Sequence, residues 1–367
     1  MSSKLPYRPS GEASGARTPP HKKEDDDKPR RWDEPPEKEP PWPPENEATL
    51  LLVHKRQLMC VAKEAMRIKF SSSDEHIAVM MPYGLGHWNT IYEWNTNNYK
   101  RIIHLDIKVS GDFALAPTPD RAVVAPYQKW IQIERNTNAW GLRPVITIFD
   151  LERRKNRLIR EYLDIQGPIT YSPDGTLIAA VDSKDTSRIT ICDAQSLQLV
   201  MTIPHHTDEV THLAFSPDGI SLASLSKDGW ARLTSVHLGR TLRRYDTGGG
   251  RTPKMLQFSL DGELVACIWG REVNLWYPET GIVNAYDLNT VRRTEGWPLC
   301  ISPDCKYLAC RTEDGFDVSD LLTGTFRGDL CGDTAAVTSA AFSSTGRNLV
   351  IGKMNGEIEL YEVITVD

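Results

Sequence analysis

From Ala48 onward, short apolar runs alternate with clusters of Gly, Asp, Asn and Pro, and no stretch keeps a helical period over the length of a helix. That pattern predicts an all-β region, because a strand needs only a few alternating positions between turn residues. The stretch HHTDEVTHLAFSPDGISLASLSKDGWARLTSV, His205 to Val236, reads as strand, turn, strand, turn, strand. It has relatives along the chain. Aligned on the residue before the first turn, they are FSSSD at Phe70, APTPD at Ala116, YSPDG at Tyr171, FSPDG at Phe215, FSLDG at Phe258, ISPDC at Ile301 and FSSTG at Phe342. Successive copies start 46, 55, 44, 43, 43 and 41 residues apart, a seven-fold repeat.

The repeated turn has a local cause. Ser at its first position, Pro at the second with φ already set, and Gly at the fourth suit a type I turn closing a hairpin. An apolar strand such as SLASLS or LVACIW follows, then a polar turn and a third strand such as ITICDA, VNLWYP or IELYEV. Four short strands in roughly 40 to 45 residues describe one propeller blade. The expected architecture is a seven-bladed β-propeller of four-stranded antiparallel blades over residues 48–367.

These residues carry a family resemblance. From about residue 48 onward the chain resembles the WD-repeat β-propellers, most closely at His205 to Asp246. The resemblance implies a hydrogen-bonded set within that blade: His206 before the first strand, Ser224 on the second, and Asp228 in the turn before the third. The family's third-strand Trp is replaced here by Thr234, so the set is incomplete. Other copies keep different fragments on the third strand: Trp94 in EWN, Phe149 and Asp150 in IFD, Cys192 and Asp193 in ICD, and Trp276 in LWY.

The last copy offers three strands, whereas TLLLVHK, Thr49 to Lys55, precedes the first copy without a blade of its own. Taking residues 48–56 as the outer strand of the last blade closes the ring and covers two strand edges, as WD-repeat propellers commonly do. A helix through LLLVHKRQLMCVAKEAMRI is the competing expectation, since its apolar spacing suits either state.

Composition sets residues 1–47 apart. They hold 11 of the 24 prolines, nine basic and eleven acidic residues, and almost no aliphatic side chain. Such a segment cannot bury enough apolar surface to offset its ordering entropy, so a disordered, Pro-rich tail is expected. Within it Thr18, which precedes Pro19 beside Lys22 and Lys23, has the context of a proline-directed phosphorylation site. The net charge of −6, from 43 basic and 49 acidic residues, leaves no basic stripe to track a phosphate backbone and argues against nucleic acid. The first residues contain no apolar signal-peptide core, and no run of apolar residues is long enough to span a membrane. An odd count of seven cysteines and the lack of a glycosylation sequon fit a reducing compartment, so the expected location is cytoplasmic or nuclear.

No enzyme chemistry emerges. GxSxG, P-loop and HExxH motifs are missing, so the chain is expected to be neither an enzyme nor a cofactor binder. The TGGGR at Thr247 to Arg251 lies between blades and opens no helix, which makes it a connector. Cys300, Cys305 and Cys310 fall at intervals of five, but strand reading separates them as reduced thiols, and His205, His206 and His212 likewise diverge. No metal is expected. A propeller-type hydrolase would need an α/β-hydrolase domain, for which the chain lacks room. Phosphoinositide or membrane-surface binding is the other alternative, suggested by LRRY at Leu242 to Tyr245, although the Phe-Arg-Arg-Gly pattern of such propellers is not present.

What remains is a non-catalytic scaffold or adaptor that binds other proteins in a multiprotein complex through the top face. In the family, that face carries the connections from second to third strand and from fourth strand to the next blade. Two are long here: PYGLGHWN in the first copy and PYQKWIQIERNTNAWGLRP in the second. Trp88, Trp130, Trp140, Trp230, Trp269 and Trp297 all map to or beside such connections, and Arg143 adds a planar donor for a partner carboxylate. These seven residues form the expected partner-binding set; burial of the indoles beneath their loops is the competing expectation.

Overall fold

The structure, a computed structural model, describes residues 49–59, 67–71, 74–83, 88–107, 112–117, 122–132, 140–150, 155–160, 165–203, 206–247, 251–287, 297–312, 316–321, 326–330 and 337–366. Residues 1–47 with Thr18, His205, and the glycines of TGGGR lie outside the described residues.

The described strands form seven antiparallel four-stranded sheets. The first is β2 (Arg67–Phe70), β3 (His76–Tyr83), β4 (Trp88–Asn95) and β5 (Arg101–Ile107); the second is β6 (Ala114–Leu115), β7 (Ala122–Gln132), β8 (Trp140–Asp150) and β9 (Lys155–Arg160). The third is β10 (Ile165–Tyr171), β11 (Leu177–Asp182), β12 (Ile189–Asp193) and β13 (Leu199–Ile203); the fourth is β14 (Val210–Phe215), β15 (Ser221–Ser226), β16 (Trp230–Ser235) and β17 (Thr241–Asp246). The fifth is β18 (Pro253–Phe258), β19 (Val265–Trp269), β20 (Glu272–Tyr277) and β21 (Ile282–Asp287); the sixth is β22 (Trp297–Ile301), β23 (Tyr307–Arg311), β24 (Phe316–Asp320) and β25 (Phe326–Leu330). The last sheet takes β26 (Val337–Phe342), β27 (Asn348–Lys353) and β28 (Glu357–Val366), and adds β1 (Thr49–Met59) as its outermost strand. Residues 49–59 are thus strand, paired with β28 from Thr49 opposite Val366 to Met59 opposite Glu357.

The expectation of seven complete blades is corrected. Six of the described sheets are complete blades, while the second enters on an inner strand of two residues that meets β7 only through Ala114 opposite Val124 and Leu115 opposite Val123. Pro117 stands where the fourth sheet has Ser216, whose amide donates to Ser221 O at 2.8 Å, so the second sheet cannot make that hairpin bond.

The core lies between the sheets. Ala179, Val181 and Ile191 of the third sheet pack with Val210, Phe215 and Leu222 of the fourth. Ala223, Leu225 and Leu233 of the fourth pack with Phe258, Val265 and Trp276 of the fifth. No sheet could bury its apolar faces alone, which is why the unit must repeat.

The Ser-Pro-Asp-Gly turns show how sequence fixes the hairpins. In the fourth sheet the Gly219 amide donates to Ser216 O at 2.8 Å, closing the type I turn, and Gly219 sits at φ +73°. The Ser216 hydroxyl donates to Asp218 Oδ1 at 2.5 Å and accepts from the Ser221 amide at 2.9 Å, locking turn to strand. Ser172, Ser259 and Ser302 repeat the hydroxyl bond with Asp174, Asp261 and Asp304.

Candidate functional site

In an antiparallel sheet alternate connections leave at the same end. The connections from second to third strand, and from fourth strand to the next sheet, therefore share one end, here called upper. In the second sheet this connection is largely β-structure: β7 and β8 each run 11 residues in continuous register from Ala122 opposite Asp150 to Gln132 opposite Trp140. What reads as a loop from Pro126 to Pro144 is a long hairpin arm, because Val, Ile, Tyr and Trp keep the ladder going. Trp130 pairs with Leu142, Gln132 with Trp140, and Lys129 with Arg143. Register thus gives Trp130 and Trp140 the same ladder parity and Arg143 the other. Trp88 opens β4 opposite Tyr83, and Trp297 opens β22 opposite Arg311.

Two indoles of the expected set have described surroundings. Trp269 is 1% exposed within the core between the fourth and fifth sheets, with its Nε1 unpartnered among the described residues, which removes it from any partner-contacting surface. Its strand, VACIW, is buried at every position, so the indole follows the strand into the interior. Trp230 is half-buried and carries the Arg244 guanidinium 4.8 Å from its ring centroid. Arg244 is also paired across the ladder with Arg232, so one arginine of LRRY is committed to its own sheet. Among the structural residues, Trp94 is 3% exposed and stacked on Tyr92 at 5.9 Å, and Trp276 is 2% exposed beside Tyr245.

His206, Ser224 and Asp228 come together in the fourth sheet. His206 Nδ1 lies 2.9 Å from Asp228 Oδ2 and its Nε2 lies 2.8 Å from Ser224 Oγ. Asp228 also accepts from the Thr207 amide at 3.0 Å and the Trp230 amide at 3.0 Å, and Arg232 Nη2 stands 3.6 Å away. Burial alone would raise the Asp228 carboxyl; the Thr207 amide and His206 outweigh it and hold it below its ordinary value. Thr234, at the position of the missing Trp, is buried on β16. The set ties the connection before β14 to the β15–β16 turn, a structural rather than chemical task.

Chemistry not anticipated from the sequence appears at the upper mouth formed by the inner strands. A cavity of about 520 Å³ is lined by Arg67, Lys69, Asp112, Gln166, Glu209 and His212 among others. Asp112 Oδ1 lies 3.2 Å from Lys69 Nζ and 3.6 Å from Arg67 Nε, and Lys69 also donates to the Phe113 carbonyl. Burial would raise the Asp112 carboxyl, but Lys69, Arg67 and the Phe113 amide together lower it. Burial drives the His212 imidazole down to about 4, so it is neutral near pH 7. Gly167, before the cis bond to Pro168, allows Asp112 this close: an added Cβ would stand 2.9 Å from the Asp112 Cβ. Four different copies supply these residues, so no local pattern could have grouped them.

Cys300 stands on β22, Cys305 in the following turn and Cys310 on β23; Cys305 is buried with its thiol pushed up to about 12. Among the described residues no cluster of three or more His, Cys, Asp or Glu is arranged to hold a metal, and no helix is long and apolar enough to cross a membrane.

Comparison with known proteins agrees with this architecture. Residues 169–269 match the family described as the anaphase-promoting complex subunit 4 WD40 domain. Periodic tryptophan protein 2 of Arabidopsis thaliana is 27% identical over 211 residues, covering 55% of this chain and 22% of that protein. SEC12-like protein 1 of Arabidopsis thaliana is 27% identical over 177 residues, 44% of this chain and 42% of that protein. The chain therefore spans less than half the length of either curated relative. Propellers of this kind generally serve protein–protein interaction and are generally not enzymes. With the repeated turns, the four-stranded sheets and the His206–Ser224–Asp228 set on the same chain, these matches make it similar to the WD-repeat β-propellers.

Proposed function

We propose that this chain is a non-catalytic scaffold, working in the cytoplasm or nucleus, that takes protein partners at the upper end of its first two sheets as one member of a multiprotein assembly. The observation that carries the reading is the β7–β8 hairpin, whose 11-residue strands exceed the five or six residues usual in the third to sixth sheets. An arm of this length serves no closure of its own sheet, and long projections from compact folds commonly bind. The charged mouth opens at the same end, with Arg67 and Lys69 directed by Asp112. Trp130, Trp140 and Arg143 of the arm, with Trp88 of the neighbouring hairpin, supply residue types enriched at binding hot spots.

The test is proximity labelling and affinity purification from the native cell, comparing the intact chain with one in which residues 128–144 are replaced by an Asn-Gly turn. Loss of a discrete set of partners at unchanged melting temperature is expected. An unchanged partner set from a stably folded variant would overturn the assignment.

A further inference from the structure

The lower end of the third, fourth and fifth sheets carries a surface of a different kind. Nine large hydrophobic residues are exposed among those described, and six of them, Leu199, Val200, Ile220, Leu238, Leu260 and Ile282, lie in the lower turns of these three sheets or at the strand starts that follow them. Single exposed apolar residues are ordinary, but their concentration at one end is not. The turns between first and second strands, two of which bear Ile220 and Leu260, are knit together. Gly219 faces Pro173 with 3.7 Å between a would-be Cβ and Pro173 Cδ, and Gly262 faces Pro217 at 3.4 Å. The Leu260 amide donates to Pro303 O of the sixth sheet at 3.0 Å. Tyr171, Phe215 and Phe258, with Pro173, Pro217 and Leu260, line a cavity of about 370 Å³ at this mouth.

Charge gives this surface its selectivity. The lower turns of the three sheets hold five exposed carboxylates, Asp174, Asp218, Asp261, Glu263 and Glu279, against one arginine, Arg240. The hydroxyls of Ser172, Ser216 and Ser259, first among the causes, hold the three aspartates below the usual carboxylate range. Asp218 and Asp261 spend Oδ1 on the Ser216 and Ser259 hydroxyls, leaving Oδ2 for an incoming cation.

We infer that this lower surface docks a basic amphipathic segment of a partner protein, with an aliphatic or aromatic anchor entering the mouth and Lys or Arg reaching the surrounding carboxylates. An acidic ligand or an anionic membrane would be repelled by the same ring. The inference rests on turns at the opposite end from the upper-end reading, although Lys69 lines both cavities.

A random peptide library displayed on phage and selected on the full chain tests it, with the selected sequences resynthesised for fluorescence anisotropy. Peptides in which Lys or Arg alternate with Leu or Phe are expected. Leu238→Ser with Leu260→Ser should weaken them about tenfold or more, as loss of anchor contacts does. Glu263→Lys with Glu279→Lys, which leaves the turn hydrogen bonds intact, should weaken them several-fold and flatten their salt dependence. Trp140→Ala should leave them unchanged. Selection of peptides without basic residues, undiminished binding by the folded double variants, or loss on Trp140→Ala would each overturn the inference. A dimer seen in sedimentation and dissolved by Leu238→Ser would assign the surface to a second copy instead, and would equally overturn it.

Discussion

Replacing Asp228 by Ala should cost the fold about 3 to 5 kcal/mol, the range for removing one partner from a buried charged pair. The structure supports that size. The Asp228 side chain is 4% exposed and His206 is fully covered, so neither can turn to water. Its carboxylate takes His206 Nδ1 and the Thr207 amide on Oδ2 and the Trp230 amide on Oδ1, with Arg232 nearby. Thr207 is exposed and its amide can recover water, which places the expectation toward ~3 kcal/mol. Asp228→Asn keeps an acceptor but loses the charge, for about 1 to 2 kcal/mol. Urea unfolding followed by tryptophan emission reads both values, with an unchanged slope required for the comparison. A cycle with His206→Ala should show coupling of roughly 1 to 3 kcal/mol. The pH dependence has a definite sign. Because the folded carboxyl is held below its ordinary 3.8, its contribution is fully present above that value and is lost as pH falls through the lower, folded one. Asp228→Asn should remove that part of the acid sensitivity. An Asp228→Ala protein within about 0.5 kcal/mol of the parent, or a cycle without coupling, would refute the reasoning.

Two further outcomes concern the ends of the ladder and its turns. A chain starting at residue 48 should melt like the full chain, whereas one starting at residue 60 loses β1, including buried Leu58, and should lose ~3 kcal/mol or more and self-associate through β28; equal melting temperatures would contradict this. Cys305 occupies the glycine position of its turn at φ +57°, so Cys305→Gly should be more stable than Cys305→Ala by about 1 kcal/mol, the reverse of the usual order, as thermal melts of the pair would show.

The local units follow from the order of residues alone. Ser, Pro, Asp and Gly at fixed spacing specify a turn through short-range bonds such as Ser216 to Asp218, and period-two apolar runs specify strands, so the repeat was legible without any distant contact. Family spacing likewise located His206, Ser224 and Asp228, three residues within one copy that the fold brings into hydrogen-bonding distance. Tertiary structure decided what depends on neighbours. Trp269 and Trp230 both sit beside upper connections in the sequence, yet one is enclosed between two sheets and the other half-exposed under an arginine, because enclosure depends on what the adjacent sheet presents. The long stretch from Pro126 to Pro144 became a hairpin arm because two distant runs could pair in register. The second sheet's inner strand meets β7 through two residues only, and its Pro117 cannot make the hairpin bond that Ser216 makes in the fourth sheet. Arg67, Asp112 and His212 belong to different copies, and the apolar residues at the lower end are scattered over the third, fourth and fifth; only ring-like repetition, which sets equivalent positions of successive copies side by side, turns such separated residues into surfaces.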